Sequence, residues 1–496
     1  MIKIGWASRN VSTDAPVVIP GQFHRRVSEK CMDAITVTAL VIEREDTVIM
    51  VSGDFVNASD NIIVDIRDAV KKKNADIPVE NILYSVTHTH SSPRYVTSHM
   101  RYDDDPSEVE IEPPEIYRAF LVENISDAIV EAYEKRDEGS FSYGYGTASV
   151  GVSRRSTYFD DYGARGGARK DSLAPNGHGV MYGKTSDKNF AGYEGTTDSN
   201  VYFMFTFDKD ENLSGAIINV PCPSQCGEQE LYLSADYWHF ARKFIREKYG
   251  NIFILPQCAA AGDLSPHALH ESDAQVRKHR LKYSDIPEHK SVADVSIYPN
   301  EYYNKVDIGE RIANAFFEVY PWASKEKIKD APVRHSVNKM PLEAWKITDE
   351  QYKESLEGYK KYSENSDDQK DGLGHSVKGS ILGRYKDVIN RYESGAEFLP
   401  TEVHTIRIGD IAFASNPFEL YIDYQHRIQG RSPYIQTFIV QLAANVQGGG
   451  RGYLCTERAK ANMGYSAIMY SCTVSPEGGQ TLVNETLKAL DELNKD

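Results

Sequence analysis

The chain has 496 residues, 41% hydrophobic and 26% charged, which places it among ordinary globular proteins and excludes a disordered or fibrous polypeptide. A net charge of -16, with no lysine/arginine stripe interleaved with aromatics, argues against nucleic acid as a partner. The first residues lack a basic segment followed by an apolar one, and no stretch reaches about eighteen apolar residues, so a cytoplasmic chain with no membrane partner is expected.

Six cysteines are too few to staple a chain of this size, and reduced thiols are expected. In chain order, residues 34–43 and 47–51 are β-rich and separated by a charged turn, which reads as a hairpin. Residues 61–72 place Ile62, Ile63, Ile66 and Val70 on one helical face. The apolar run 81–86 then leads into Thr87-His88-Thr89-His90 and stops at Pro93. If the strand continues through the motif, alternation puts His88 and His90 on one side, roughly 7 Å apart at Cβ. That suits a metal ligand beside an acid/base, a pair of acid/bases, or one imidazole that only satisfies the strand end.

A long helix follows over 116–136, a strand over 140–153, a hairpin over 201–207 and 215–220, a helix over 238–248 and a buried strand over 252–255. Residues 157–200, rich in Gly, Ser, Asp and Asn, are expected to form a surface loop or lid. Residues 268–300 and 345–395 are charged and tyrosine-rich, the latter with helical spacing around Leu356, Tyr359 and Tyr362. These three segments read as excursions on one domain covering 1–496, since no linker or internal repeat divides the chain.

Two further segments carry chemistry. Residues 254–266 run from a strand through small residues into Asp263-Leu-Ser-Pro, a turn that can offer backbone amides to an oxygen or simply close an Asx turn. Residues 441–453 are dense in glycine and end at Tyr453, followed by Gly464-Tyr465.

Taken together these segments resemble the catalytic domain of the neutral/alkaline non-lysosomal ceramidases, a family of zinc-dependent amidases. The resemblance runs from Ile4 to the C-terminal helix and rests on residues 81–93, Ser153-Arg154-Arg155, 215–225, 257–266, 408–420 and the two tyrosine segments. It implies an α/β fold: layered, mixed but mainly antiparallel sheets packed face to face and flanked by helices. It also implies His88 and Tyr453 as metal ligands, with His90, Arg154 and Tyr465 as catalytic neighbours. Two ligand positions depart from the family pattern: Pro223 stands where the family has a zinc histidine and Asn416 where it has the glutamate of Pro-Gly-Glu. The cofactor expectation is therefore either none or zinc.

His24, Gln225, Asp263 and Asn416 complete the candidate substrate-binding set. The expected activity is hydrolysis of a small, soluble, polar substrate, an amide or a glycoside, in preference to ceramide. A metal-independent lyase or glycosidase using the His/Tyr/Arg set on a sugar or uronate is the alternative, and a non-catalytic binding protein the second. A small-molecule substrate is the expected partner, and homo-oligomerisation is left open.

Overall fold

Three β-sheets turn one face each toward a shared apolar centre and the other toward helices, in a computed structural model. It describes residues 1–58, 61–97, 109–165, 173, 176–283, 299–364, 376–446 and 448–495. The first sheet has the order Ile82–Val86, Thr47–Gly53, Thr36–Glu43, Lys3–Asn10, Asp137–Glu138. The second has Phe253–Cys258, Leu213–Val220, Asn200–Phe207 and Ser140–Thr147; the third has Val333–Glu343, Phe398–Ile408, Ile411–Ser415 and Gln436–Val440.

Strand periodicity explains the layering. Along Thr36–Glu43, Leu40 and Ile42 join the shared centre while Val37, Ala39 and Val41 pack under helices Ile62–Lys73 and Pro114–Glu134. Along Asn200–Phe207, Met204 faces the centre, and Phe203, Phe205 and Phe207 meet helices Tyr237–Tyr249 and Pro299–Ala323. Burying each of these side chains contributes roughly 1.5–3 kcal/mol, and a one-residue slip would exchange the two faces, so the register is strongly fixed. Helix Pro476–Leu493 covers the third sheet. Most strand pairs are antiparallel, with one parallel pair in each of these sheets.

Those parallel pairs position the site. Ile82–Val86, Leu213–Val220, Phe253–Cys258 and Ile411–Ser415 each hand their carboxyl end to a segment that carries a candidate residue. Backbone bonds lock these ends together across sheets: Ala444 N–H to the Tyr84 carbonyl at 2.7 Å and Gln441 N–H to that of Cys258 at 3.0 Å.

The expected hairpins and helices form with small shifts at their ends. The 157–200 segment differs: it contains a three-stranded sheet, Gly179–Met181, Arg155–Tyr158, Phe190–Tyr193, whose strands of three and four residues are too short to show periodicity. Residues 166–172 and 174–175 of that segment lie outside the described residues. Within 268–300 helix Ser272–Lys282 forms, and 284–298 lie outside the described residues. Within 345–395, helices Asp349–Glu364 and Lys378–Ser394 pair with each other, and 365–375 lie outside.

Candidate active site

The strand before the histidines ends at Val86, two residues earlier than alternation through His88 requires. His88 has φ 65°, so the same-side argument fails locally. A different set of contacts brings the two rings together. The His88 N–H donates to the Phe55 carbonyl at 2.9 Å, and its Nδ1 lies 2.6 Å from the Val56 carbonyl oxygen. A carbonyl only accepts, so Nδ1 carries the proton and Nε2 presents a lone pair. His90 meets it with ring centroids 5.0 Å apart and Nε2 to Nε2 at 3.4 Å.

Gly21 backs the His90 ring. Its φ is 112°, and a Cβ there would lie 2.6 Å from His90 Cγ, so both the turn and the close approach require glycine. The Gly21–Arg26 loop thereby becomes one wall, with His24 buried in it and Arg26 Nη2 donating to the His90 carbonyl at 2.6 Å.

Arg154 enters from the short strand pair Val152–Ser153 with Leu264–Ser265. Its Nη2 donates to the Gly262 carbonyl at 2.8 Å and to the Tyr453 hydroxyl at 3.3 Å, and lies 3.5 Å from Glu419 Oε2. Its Nη1 donates to the Tyr182 hydroxyl at 3.3 Å. Burial works against the charge, yet Tyr453, Tyr182 and Glu419 outweigh it and Arg154 stays cationic. Glu419 and Tyr453 are partners in a short parallel pair, Glu419–Leu420 with Tyr453–Leu454. Burial, Glu419 and Tyr465 hold the Tyr453 phenol well above its ordinary value. Tyr465 meets Tyr453 edge to face at 5.5 Å and Phe23 at 5.7 Å.

The structure thus gathers His88, His90, Arg154, Tyr453 and Tyr465, with Gln225 alongside, its Nε2 donating to the Tyr182 hydroxyl at 2.9 Å. Two residues of the candidate set point elsewhere. The Asp263 carboxyl accepts from Ile422 N–H at 2.9 Å at the start of helix Ile422–Gln429, and burial with Asp423 pushes it up to about 7. Asn416 Oδ1 closes a turn by accepting from Phe418 N–H at 3.1 Å.

Three neighbouring residues lie outside the candidate set. Glu419 Oε2 lies 3.6 Å from His88 Nε2. Glu228 Oε1 lies 3.5 Å from His90 Nδ1, and Tyr182 bridges Arg154 and Gln225. Glu419 had a readable signal: sliding the family's Pro-Gly-Glu by three residues, from Ala414-Ser-Asn416 to Pro417-Phe-Glu419, restores both proline and carboxylate. Burial, then His88 and Arg26, pushes the His90 pKa well below the usual imidazole value and keeps that ring neutral. Half-exposed Tyr465 and the partly exposed carboxylates of Glu228 and Glu419 form the solvent-facing rim.

The fold that carries these residues is similar to that of known structures. A ceramidase complexed with C2 matches at TM-score 0.66 and 14% identity, covering 100% of this chain and 75% of that one. A neutral ceramidase from Pseudomonas aeruginosa matches at TM-score 0.65 and 16% identity, covering 99% and 75%. The chain has the neutral ceramidase fold. No protein-family profile matches the sequence, and no curated protein does. The layered architecture expected of a neutral ceramidase-like fold is therefore present, while the function of its site has to be argued from the residues.

Few side chains at this site are of a type that could hold a metal. Pro223 offers no side-chain donor, and the Asn416 amide is committed to its turn. His88 Nε2, the Glu419 carboxylate and the Tyr453 phenol are of suitable type; His88 Nε2 lies 3.6 Å from Glu419, and Arg154 Nη2 reaches both that carboxylate and the Tyr453 phenol. Among the described residues, no three His, Cys, Asp or Glu side chains already close on a common point.

Proposed function

We propose that this protein is a hydrolase of a small polar substrate, an amide or a glycoside, in place of ceramide. The observation that carries the reading is the convergence of His88, Glu419, Arg154 and Tyr453 from four separate segments into one cluster. Zinc would be held by His88, Glu419 and Tyr453, and when bound it supplies Lewis acidity and an acidified water.

The chain's own groups supply the rest. Arg154, fixed by the Gly262 carbonyl and Tyr182, presents a buried positive charge to an oxygen that becomes anionic during bond cleavage. The phenol of Tyr182 keeps its proton and can donate to such an oxygen or to a leaving group.

Polar lining supports a polar substrate. Gln225 Oε1, Arg154 Nε and His90 Nδ1 are buried without a hydrogen-bond partner, an arrangement that costs about 1–3 kcal/mol per group unless water or a ligand satisfies it. A two-chain lipid would leave them unpaired. Elimination beside a uronate is less well supported, because Arg154, its expected carboxylate clamp, already serves Gly262, Tyr453, Glu419 and Tyr182.

The test is a panel of chromogenic glycosides and N-acyl amides assayed with zinc-supplemented protein, with Glu419→Gln as the control. Turnover that the variant loses supports hydrolysis. An unsaturated, ultraviolet-absorbing product identifies a lyase instead, and ligand-induced stabilisation with no turnover of any substrate identifies a binding protein.

A further inference from the structure

The helix Lys378–Ser394 brings a charged residue to the mouth of the candidate site. Its inner face is anchored on the segment that follows Tyr465: Tyr385 and Val388 are buried with Ile468, Met469 and Tyr470, and Arg391 Nη1 donates to the Cys472 carbonyl at 3.3 Å. One position before Tyr385, that anchoring carries Arg384 over two aromatic rings. Its guanidinium carbon lies 4.5 Å from the Phe23 ring centre and 5.2 Å from that of Tyr465.

Both rings belong to the wall of the site. Phe23 stands two residues after Gly21, which backs His90, and meets Tyr465 edge to face; Tyr465 in turn meets Tyr453, whose hydroxyl accepts from Arg154. Arg154, Tyr453, Tyr465 and Arg384 thus succeed one another at 5.7, 5.5 and 5.2 Å, with a cation at each end and two phenols between. The two cations are placed for different work. Arg154 is buried and serves the Gly262 carbonyl, Tyr453, Tyr182 and Glu419, whereas Arg384 is half-buried at the rim beside half-exposed Tyr465.

Stacking uses the faces of a guanidinium and leaves its five N–H donors in the plane, directed past the ring edges. Such an edge matches a carboxylate, which accepts two parallel N–H bonds. The aromatic faces also fix that plane beforehand, so less freedom is lost when an anion docks. On a chain of net charge -16, whose field repels anions in general, a guanidinium held at the mouth is the group that admits one. The carboxylates nearest the reacting groups have other neighbours: Glu419 faces Arg154 and His88, and Glu228 faces His90.

We propose that Arg384 determines specificity by binding a carboxylate on the substrate, so that the molecule hydrolysed is acidic, a uronic-acid glycoside or an N-acyl amino acid. This rests on the hydrolase reading of the same site. Phe23 and Tyr465 are the positioning residues that hold the guanidinium plane, and the bond to be cleaved lies toward Arg154.

Isothermal titration calorimetry with glucuronate against glucose, and with N-acetylglycine against N-acetylglycinamide, reads recognition without turnover. Values of kcat and KM for acidic and neutral members of the glycoside and amide panel read it during turnover. The acidic probe of one pair is expected to bind at least about 10-fold more tightly than its neutral counterpart, and the pair that shows the difference identifies the sugar or the amino-acid substrate. Arg384→Met should lose about 10–100-fold in affinity and in KM for the acidic member, the loss of one charge-assisted pair, while kcat and the neutral member stay within about 3-fold. Arg384→Lys keeps the charge without the planar fork and should recover part of the loss, and it serves as the second variant should the methionine form fail to fold. Lys386→Met, which removes a charge from the exposed side of the same helix, should match the wild type.

Equal affinity for the acidic and neutral members of both pairs overturns the proposal, as does an Arg384→Met protein that loses the two members equally or loses neither. Arg384-dependent binding of an acidic probe by a protein that turns over nothing refutes hydrolysis alone, whereas turnover of neutral substrates with no acidic preference refutes the role of Arg384 alone.

Discussion

Replacing Asp263 with asparagine should stabilise the protein at alkaline pH and leave it nearly unchanged at acid pH. The carboxyl is 2% exposed and accepts a 2.9 Å bond from Ile422 N–H at a helix start, where a negative charge normally gains up to about 2 kcal/mol. Burial and the neighbouring Asp423 win that contest and raise the group from 3.8 to about 7. A raised carboxyl pKa means that the folded protein binds a proton which the unfolded chain releases. Stability associated with this group is therefore complete below about pH 4, declines as pH rises toward 7, and stays low above it. A shift of this size corresponds to about 4 kcal/mol at full value, and we take about 2–4 kcal/mol as the working range. Asparagine keeps the Oδ1 acceptor for Ile422 and removes the charge, so the variant should gain that amount at pH 8. At roughly 1 °C per kcal/mol for a chain of this length, Tm should rise by about 2–4 °C at pH 8 and by less than about 1 °C at pH 4. Calorimetric melts of both proteins across that range provide the measurement. A Tm difference that does not vary with pH, or an asparagine variant less stable at pH 8, would refute the reasoning.

Glu419→Gln should lower kcat/KM by about 10²–10³ while circular dichroism and Tm stay close to wild type, since the carboxylate is a rim group and not part of the core. Arg155 and Glu194, with side chains 0% and 2% exposed, form a bidentate pair that also holds the Tyr465 carbonyl at 2.9 Å. Arg155→Met alone should cost about 3–5 kcal/mol in denaturant melts, and adding Glu194→Leu should recover much of it, because the lone buried carboxylate dominates the loss. Gly21→Ala should cost about 1–3 kcal/mol through its φ of 112° and the 2.6 Å approach to His90, and a variant as stable and active as wild type would contradict the close fit.

The layered fold was legible because its strands obey a period of two on both faces. Val37, Ala39 and Val41 alternate with Leu40 and Ile42, and Phe203, Phe205 and Phe207 with Met204. Nothing comparable marks Arg155–Tyr158 or Phe190–Tyr193, whose four residues give too few repeats to be read. Their stability is tertiary. Arg155 pairs with Glu194 39 positions away and joins this small sheet to the Tyr465 carbonyl 310 positions away, contacts that no local pattern announces.

The site was legible to the extent that its residues belong to segments with a recognisable order, and obscure where a contact spans loops. Strand alternation suggested that His88 and His90 share a side, yet the strand stops at Val86 and His88 turns back at φ 65°. What pairs the rings is the Val56 carbonyl on one imidazole and the Gly21 loop on the other, both remote in sequence. Glu419 shows the opposite case. Matching Pro-Gly-Glu position by position set Asn416 against the carboxylate, while the carboxylate that lies 3.6 Å from His88 Nε2 is Glu419, two residues after Pro417. What a side chain can do depends on where its atoms arrive, so a three-residue slip along Ser415-Asn-Pro-Phe-Glu419 brings a carboxylate beside His88 that a column-wise comparison does not show.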